Sequence, residues 1–273
     1  MTWVPAPGKL NLCLHVLGRR DDGAHLLQTV LRLIERGDRV GIGPRADGEI
    51  SFSGAFGEDN LCVRAARLLK QSARSPQGCD IKLEKKLPLG GGLGGGSSDA
   101  ASTLLALNRL WGCKLGRARL MELGLRLGAD VPFFVYGRSA LGEGIGERLS
   151  QLELPAAWYL VLVPQVSVST QEIFSDRALT RNGKPLKIPP FLSGRGRNDL
   201  EPVACDHHPD IAAHLAWLRK HRPDARMTGS GACVFAELGS ESEARALQAR
   251  LPGAMQGFVT RGLDRHPLCD WAD

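Results

Sequence analysis

Residues 88–99 read Pro88-Leu89-Gly90-Gly91-Gly92-Leu93-Gly94-Gly95-Gly96-Ser97-Ser98-Asp99, and the apolar run Ala100-Ala101-Ser102-Thr103-Leu104-Leu105-Ala106-Leu107 follows at once. Six of the seven residues from Gly90 to Gly96 are glycine. Without a Cβ, such a backbone can approach a ligand closely and turn its N–H groups toward it. Ser97 and Ser98 stand at the head of a helix, whose first amides are unpaired and carry about half a positive charge. Glycine loop and helix start together suit a polyphosphate. A flexible linker is the poorer reading, because linkers are not normally followed by a capped apolar helix.

The type of loop is narrowed by what surrounds it. A Walker A site requires a lysine after the last glycine, and none follows here. The run formally satisfies G-x-G-x-x-G, but a dinucleotide fold then needs an acidic residue about 20 positions on. The chain reads Lys114-Leu115-Gly116-Arg117 there, between two helical patterns. A run this rich in glycine matches G-x-G-x-x-G by chance, and the dinucleotide fold is the weaker reading.

Working outward, residues 79–87 alternate and stop at Pro88, a strand feeding the loop, while residues 100–111 form a helix stopped near Gly112. Further helices are expected over 60–73, with Asp59 as N-cap, and over 117–127, 169–179, 209–221 and 240–251. Near the N-terminus, Lys9-Leu10-Asn11-Leu12-Cys13-Leu14-His15-Val16 alternates strictly, the pattern of a strand with one buried face. Leu10, Leu12, Leu14 and Val16 point one way; Lys9 and Asn11 share the other side, about 6–7 Å apart. Residues 25–35 form a strand or short helix, and 39–43 and 49–53 belong to a meander or hairpin. Residues 131–136, 158–164 and 255–261 have strand character, and Met227–Phe235 joins a tight glycine turn to a strand. Residues 180–197, with Pro185, Pro189 and Pro190, read as a loop. Strands and helices mix without regular βαβ alternation, which predicts an α+β fold in two lobes, broken near 150–155 or 167–170.

Composition bounds the partners. The 273 residues are 43% hydrophobic and 23% charged, an ordinary globular balance that excludes disordered and fibrous chains. Aromatics are only 5%, so the core rests on Leu, Val, Ile and Ala. A net charge of +6 suits an anionic ligand, yet no basic patch interleaved with aromatics points to nucleic acid. No apolar run approaches the ~20 residues of a membrane span and no secretory signal is visible, which makes the cytoplasm the expected compartment. Seven scattered cysteines without a C-x-x-C pair read as free thiols rather than a disulfide framework. The His-rich stretch with His207, His208, His214 and His221 invites a metal reading, but His214 and His221 are seven apart, too far for one ion, and the stretch reads as a polar helix face. Lys82, Lys85 and Lys86 read as a solvated strand face.

The pattern Pro88-x-x-x-Gly92-Leu93-Gly94-x-x-Ser97-Ser98 is similar to the phosphate-binding motif of the GHMP kinase superfamily. Pro5-Ala6-Pro7-Gly8-Lys9-Leu10-Asn11-Leu12 resembles its N-terminal motif, and Thr228-Gly229-Ser230-Gly231-Ala232-Cys233-Val234-Phe235 its C-terminal glycine motif. Asp22-Gly23-x-His25 and Leu127-Gly128-Ala129-Asp130-Val131-Pro132-Phe133-Phe134 complete a set resembling the branch that acts on a cytidine-diphosphate-linked methylerythritol in the non-mevalonate isoprenoid pathway. The likeness spans nearly the whole chain, from about Pro5 to Phe258.

The resemblance implies a two-lobed α+β fold, residues 1–152 and 153–273, with ATP, Mg²⁺ and substrate meeting in the interlobe cleft. It implies Lys9 and Asp130 as the catalytic pair, Asp130 accepting or orienting a hydroxyl proton. Residues 88–98 (Pro88, Leu89, Gly90, Gly91, Gly92, Leu93, Gly94, Gly95, Gly96, Ser97 and Ser98) would wrap the triphosphate, with Ser98 as a possible metal ligand. Asn11, His25, Thr170 and Phe174 would contact the substrate, His25 and Phe174 at its cytosine. From the residues alone, Asp130 is as plausible as a turn cap, Lys9 as a solvated lysine, and His25 and Phe174 as core side chains. One position departs from the pattern: Ala24 stands where an aromatic is usual before the histidine. Another GHMP kinase, of homoserine or mevalonate type, or a non-catalytic nucleotide sensor are the competing readings.

Overall fold

The computed structural model describes residues 1–54, 57–185 and 196–272. The predicted proline-containing loop over 180–197 therefore lies partly outside the described residues. Two very long strands organise the molecule: β1 (Thr2–Arg19) and β2 (His25–Arg45) pair antiparallel along almost their whole length. The other edge of β2 is shared in succession. It receives β5 (Ala140–Gly144), then two residues of β10 (Gly257–Leu263), then β4 (Gly78–Glu84). β3 (Ile50–Ser53) adds parallel to β4, and β6 (Arg148–Gln151) adds to β5. Through β10 the sheet continues into β7 (Trp158–Leu162), β9 (Val234–Leu238) and the short β8 (Arg226–Met227).

Helices cover each half. α1 (Leu61–Ala73), α2 (Gly95–Leu110), α3 (Arg117–Leu125) and α4 (Val131–Tyr136) pack on one core with β1, β2 and β4. α5 (Thr170–Ser175), α6 (Glu201–His207), α7 (Pro209–His221) and α8 (Glu241–Gln248) frame a second core, with α6 and α7 on one side and α8 packed on β7 and β10. A third cluster, including Leu10, Val30, Tyr159 and Phe235, joins the halves beneath the glycine run. Among the described residues no helix is long and apolar enough to cross a membrane.

Several expectations are revised. β1 is buried on both sides between residues 4 and 16, apart from Pro5, because helix α2 lies on it while a bulge between Asn11 and Cys13 re-aims its end. Leu10 and Leu12 consequently enter the joining cluster, and Leu14 and Val16 the second core. Residues 25–35 and 39–43 are one strand, not two elements, and residues 49–53 pair parallel to β4 instead of closing a hairpin. Asn60, not Asp59, caps α1, its Oδ1 accepting from the Cys62 amide at 2.9 Å. α2 starts five residues before Ala100, since the last glycines already adopt helical geometry. Residues 131–136 form a helix where a strand was expected. Five consecutive apolar residues, Val131–Val135, are all buried and have no period to read, while Pro132 starts the helix and Gly137, at φ 73°, ends it. His214 is buried, its Nδ1 within 2.7 Å of the Asp210 carbonyl, so that helix face is not uniformly polar.

Candidate active site

The glycine run is built so that its two sides do different work. Its carbonyls face protein: those of Gly90 and Gly91 accept from the amides of Ala232 and Cys233 at 3.1 and 3.2 Å, and that of Leu93 accepts from the Lys9 amide at 2.9 Å. The Gly92 carbonyl accepts a longer bond from the Thr228 hydroxyl. The amides of residues 90–97, by contrast, have no protein acceptor among the described residues. Gly90, Gly92, Gly94 and Ser97 line a cleft of about 350 Å³. Unpaired amides around a cavity at a helix N-terminus are an anion cradle. Gly92 shows why no side chain is tolerated: a Cβ there would stand 2.3 Å from the Thr228 carbonyl oxygen.

Two serines clip α2 to β1. Ser98 Oγ donates to the Pro7 carbonyl at 2.7 Å, and one turn later Ser102 Oγ donates to that of Pro5 at 2.9 Å. Ser98 is fully buried and its amide bonds the Gly94 carbonyl, so neither group faces the cleft. Ser97, not Ser98, is the serine of the pair that lines the cleft, unlike the expected placement of Ser98 against phosphate or metal. Leu93 likewise points into the joining core, while the exposed Leu89 borders a second cavity.

Lys9 sits on the floor of the cleft at 3% exposure, and Asp130, the residue before α4, lies opposite it. The Lys9 Nζ is 3.6 Å from Asp130 Oδ2 and donates a short hydrogen bond to Asn11 Oδ1. Asn11 is itself oriented: its Nδ2 donates to Thr29 Oγ1 at 2.9 Å, and the Thr29 hydroxyl donates to the Cys13 carbonyl at 2.6 Å. The chain of donors leaves the Asn11 oxygen as the end that meets the ammonium. Asn11 thus lines the cleft, as expected of a substrate contact, but its amide is engaged in fixing Lys9. An ammonium has three donors; among the described residues Asn11 takes one, Asp130 at 3.6 Å is an ion-pair partner beyond hydrogen-bond distance, and donors remain for a ligand. Gly94 and Gly229 close on Lys9 from two directions, with Cβ positions 3.1 Å from its Cε and 3.3 Å from its Nζ.

The far wall comes from the other half of the molecule. Thr170 at the start of α5 shares a 2.7 Å hydrogen bond with Ser230, and both line the cleft with Phe174. His25 is not in the wall itself; it packs on Phe174 with ring centroids 4.8 Å apart. Burial, and then the nearby Arg181 and Arg19, lower its pKa and favour the neutral ring.

Three groups escaped sequence reasoning. Asp38, buried in β2, accepts from the amides of Lys86 and Leu87 at 2.5 and 2.8 Å and from Lys85 Nζ, which also reaches Asp99 at 2.8 Å. Lys85 therefore points inward, not to solvent as expected, and the cluster ties the strand entering the loop to the first turns of α2. Burial, and secondarily the neighbouring Asp38, raise the Asp99 carboxyl to about 7, with Lys85 opposing. Second, a cavity of about 250 Å³ between Asn60, Leu61, Leu83, Lys85 and Gly96 opens beside the loop. Third, Asn198 Nδ2 donates to the Met227 and Gly229 carbonyls at 2.9 and 2.7 Å, holding the glycine turn against β1. Only an Asn followed by Asp-Leu was visible in the sequence, with no periodic or motif signal. Among the described residues, no three His, Cys, Asp or Glu side chains are grouped to hold a metal ion.

Comparison with known proteins agrees with this architecture. Residues 60–138 match the GHMP kinases N terminal domain and residues 179–257 the GHMP kinases C terminal domain. The 4-diphosphocytidyl-2-C-methyl-D-erythritol kinase of Thiobacillus denitrificans is 58% identical over 271 residues, 98% of this chain and 97% of that one. The enzyme of the same name from Nitrosospira multiformis is 56% identical over 275 residues, 98% of this chain and 94% of its own length. A crystal structure of 4-(cytidine 5'-diphospho)-2C-methyl-D-erythritol kinase superimposes with a TM-score of 0.87 at 36% identity, covering 96% of this chain and all of that one. The chain belongs to the GHMP kinases and, among them, to the 4-diphosphocytidyl-2-C-methyl-D-erythritol kinase family.

Proposed function

We propose that the chain transfers the γ-phosphoryl group of ATP to the 2-hydroxyl of 4-diphosphocytidyl-2-C-methyl-D-erythritol, a step of non-mevalonate isoprenoid precursor synthesis, and that Lys9 and Asp130 carry the chemistry. The reading rests above all on the Lys9–Asp130 pair, 3.6 Å apart in the same cleft as the open amides of the glycine run. Family membership supplies the identity of the alcohol. Residues 1–152 form the lobe that holds the phosphate loop, and residues 153–273 the lobe that contributes Thr170, Phe174 and the Gly229–Gly231 turn.

In this reading the triphosphate lies along the amides of Gly90–Ser97, and the nucleotide base enters the adjoining cavity beside Asn60, Leu61 and Lys85. The substrate hydroxyl oxygen attacks the γ-phosphorus, the bond from that phosphorus to the β–γ bridging oxygen breaks, and ADP leaves. Asp130 receives the hydroxyl proton. A Lys9 donor not engaged by Asn11 meets a phosphoryl oxygen as charge spreads over it, an electrostatic contribution strengthened by burial. Asn11 and Thr29 orient Lys9, and the substrate's cytosine stacks on Phe174 beside His25. Asp130 and Ser97 are among the oxygen donors that line the cleft, and among the described residues no cage of carboxylates surrounds them. That donor set fits a Mg²⁺ ion carried on the triphosphate with Ser97 beside it. When bound, Mg²⁺ neutralises the β- and γ-phosphates.

Purified protein incubated with ATP, Mg²⁺ and, in parallel, the cytidine-linked methylerythritol, homoserine or mevalonate, with ADP release as readout, tests the proposal. ADP release is expected with the first alcohol alone. Turnover of homoserine or mevalonate in its place, or nucleotide binding without turnover, refutes it.

A further inference from the structure

The pair His25 and Phe174 is assembled from two distant parts of the chain, one at the start of β2 and one in the last turn of α5. A single side chain ties them together. Arg181 donates from Nε to His25 Nε2 at 3.2 Å and from Nη2 to the Phe174 carbonyl at 3.0 Å. Nη2 also donates to the Asp176 carbonyl at 2.5 Å, and Nη1 to that of Leu179 at 3.2 Å. The half-buried guanidinium thus spends each of its three nitrogens on this corner, binding one carbonyl in the last turn of α5 and two just beyond its end.

The chemistry of the donor decides the state of the histidine. A guanidinium stays protonated and has no acceptor atom. Its Nε–H can be received at His25 Nε2 only by a lone pair, so the ring proton of neutral His25 resides on Nδ1. The adjacent positive charges of Arg181 and Arg19, together with burial, disfavour a second proton. Among the described residues His25 Nδ1 has no protein partner. The corner therefore offers one N–H donor next to the face of Phe174, which suits a pyrimidine presenting a ring-nitrogen or carbonyl acceptor.

We propose that Arg181 is a positioning residue for pyrimidine recognition, locking His25 as its Nδ1–H tautomer and holding Phe174 against it. The proposal rests on the cytidine-linked substrate assigned above. It also supplies a reason why the site functions with Ala24 in place of an aromatic: the recognition elements on this side are fixed before substrate arrives, so less ordering remains to be done on binding.

The test is Arg181→Met, which keeps the aliphatic stem, in the full chain. With the ligand-free protein, ¹⁵N shifts of His25 are expected to show a pyrrole-type Nδ1 and pyridine-type Nε2 in wild type, and a mixed or reversed tautomer in the variant. In the ADP-release assay, KM for the cytidine-linked methylerythritol is expected to rise about tenfold, the effect of one misaligned hydrogen bond in a partly buried site. KM for ATP and kcat at saturation should stay within about twofold. Arg181→Lys serves if the methionine variant does not fold: an ammonium can satisfy the carbonyls but lacks the planar fork, and the same rise is expected. A wild-type Nε2–H tautomer, or an unchanged KM in a folded variant, overturns the proposal. A wild-type chain inactive on this substrate instead refutes the functional assignment, and the tautomer measured in the same sample still decides whether Arg181 sets His25.

Discussion

Gly94 and Gly96 stand two residues apart at the head of α2, and the structure predicts opposite outcomes for giving each a methyl group. At Gly94 the backbone has φ +69°, and a Cβ would lie 2.9 Å from Phe134 Cζ, 3.0 Å from its Cε2 and 3.1 Å from Lys9 Cε. Carbon atoms rest at about 3.5–4.0 Å, so the neighbours must open by roughly 0.5–1 Å. Phe134 is fully buried and cannot retreat, which leaves Lys9 to move. The left-handed backbone costs about 1–2 kcal/mol and overpacking about 1–3 kcal/mol more. At roughly 2–4 °C per kcal/mol for a chain of this size, the thermal midpoint of Gly94→Ala should fall by about 4–20 °C. A displacement of the Lys9 ammonium by about 1 Å should lower kcat by about 10²-fold at saturating substrates. Gly96 has no positive φ, and its Cβ would meet only Leu61 Cδ1 at 3.4 Å. Gly96→Ala should therefore raise the nucleotide-free midpoint slightly, since alanine in a helix is favoured over glycine by about 0.5–1 kcal/mol. Differential scanning fluorimetry and steady-state ADP release on both variants decide the matter. Equal midpoint shifts, or a Gly94→Ala enzyme within about threefold of wild-type kcat, refute the argument that backbone approach positions Lys9.

Asp130→Asn keeps the volume but removes the proton acceptor and the charge beside Lys9; kcat should fall by about 10³-fold with both KM values within a few fold, and a near-normal kcat removes Asp130 from the chemistry. Ala24→Tyr restores an aromatic at the half-buried turn position beside His25, and a base stack worth about 1–3 kcal/mol should lower KM for the cytidine-linked substrate by about 5- to 150-fold. No change in KM indicates that the pocket is already filled. Because burial raises the Asp99 carboxyl to about 7, the folded chain binds this proton where the unfolded chain has released it. Its stabilising contribution is complete below about pH 4 and is lost as pH climbs toward 7. Urea unfolding between pH 5 and 8 should show a shallower pH slope for Asp99→Asn, and an unaltered slope refutes the buried-proton account.

Much of the site was legible because its parts are local. The glycine run, the two serines and the apolar helix after them are contiguous, so close backbone approach and a helix start follow from residue type alone. The alternation around Lys9 and Asn11 likewise put both on one side of a strand. The short helix after Asp130 was not legible, because an apolar segment buried on every side has neither the period of two nor that of 3.6. Lys85 looked solvated because nothing near it in sequence announces Asp38, 47 positions earlier, as its partner. Which of Ser97 and Ser98 faces the cleft was not legible, because motif position says nothing about which side of a helix faces β1.

By itself, then, the order of residues determined which segments bend, start helices and carry charge, since those properties depend on neighbours a few positions away. The tertiary structure alone decided which charges meet. Lys9 reaches Asp130 across 121 positions, Arg181 reaches His25 across 156, and Asn198 holds the turn at Gly229. Such contacts arise only when two cores pack against a shared sheet, because distance in space, not along the chain, sets electrostatic and hydrogen-bond energies.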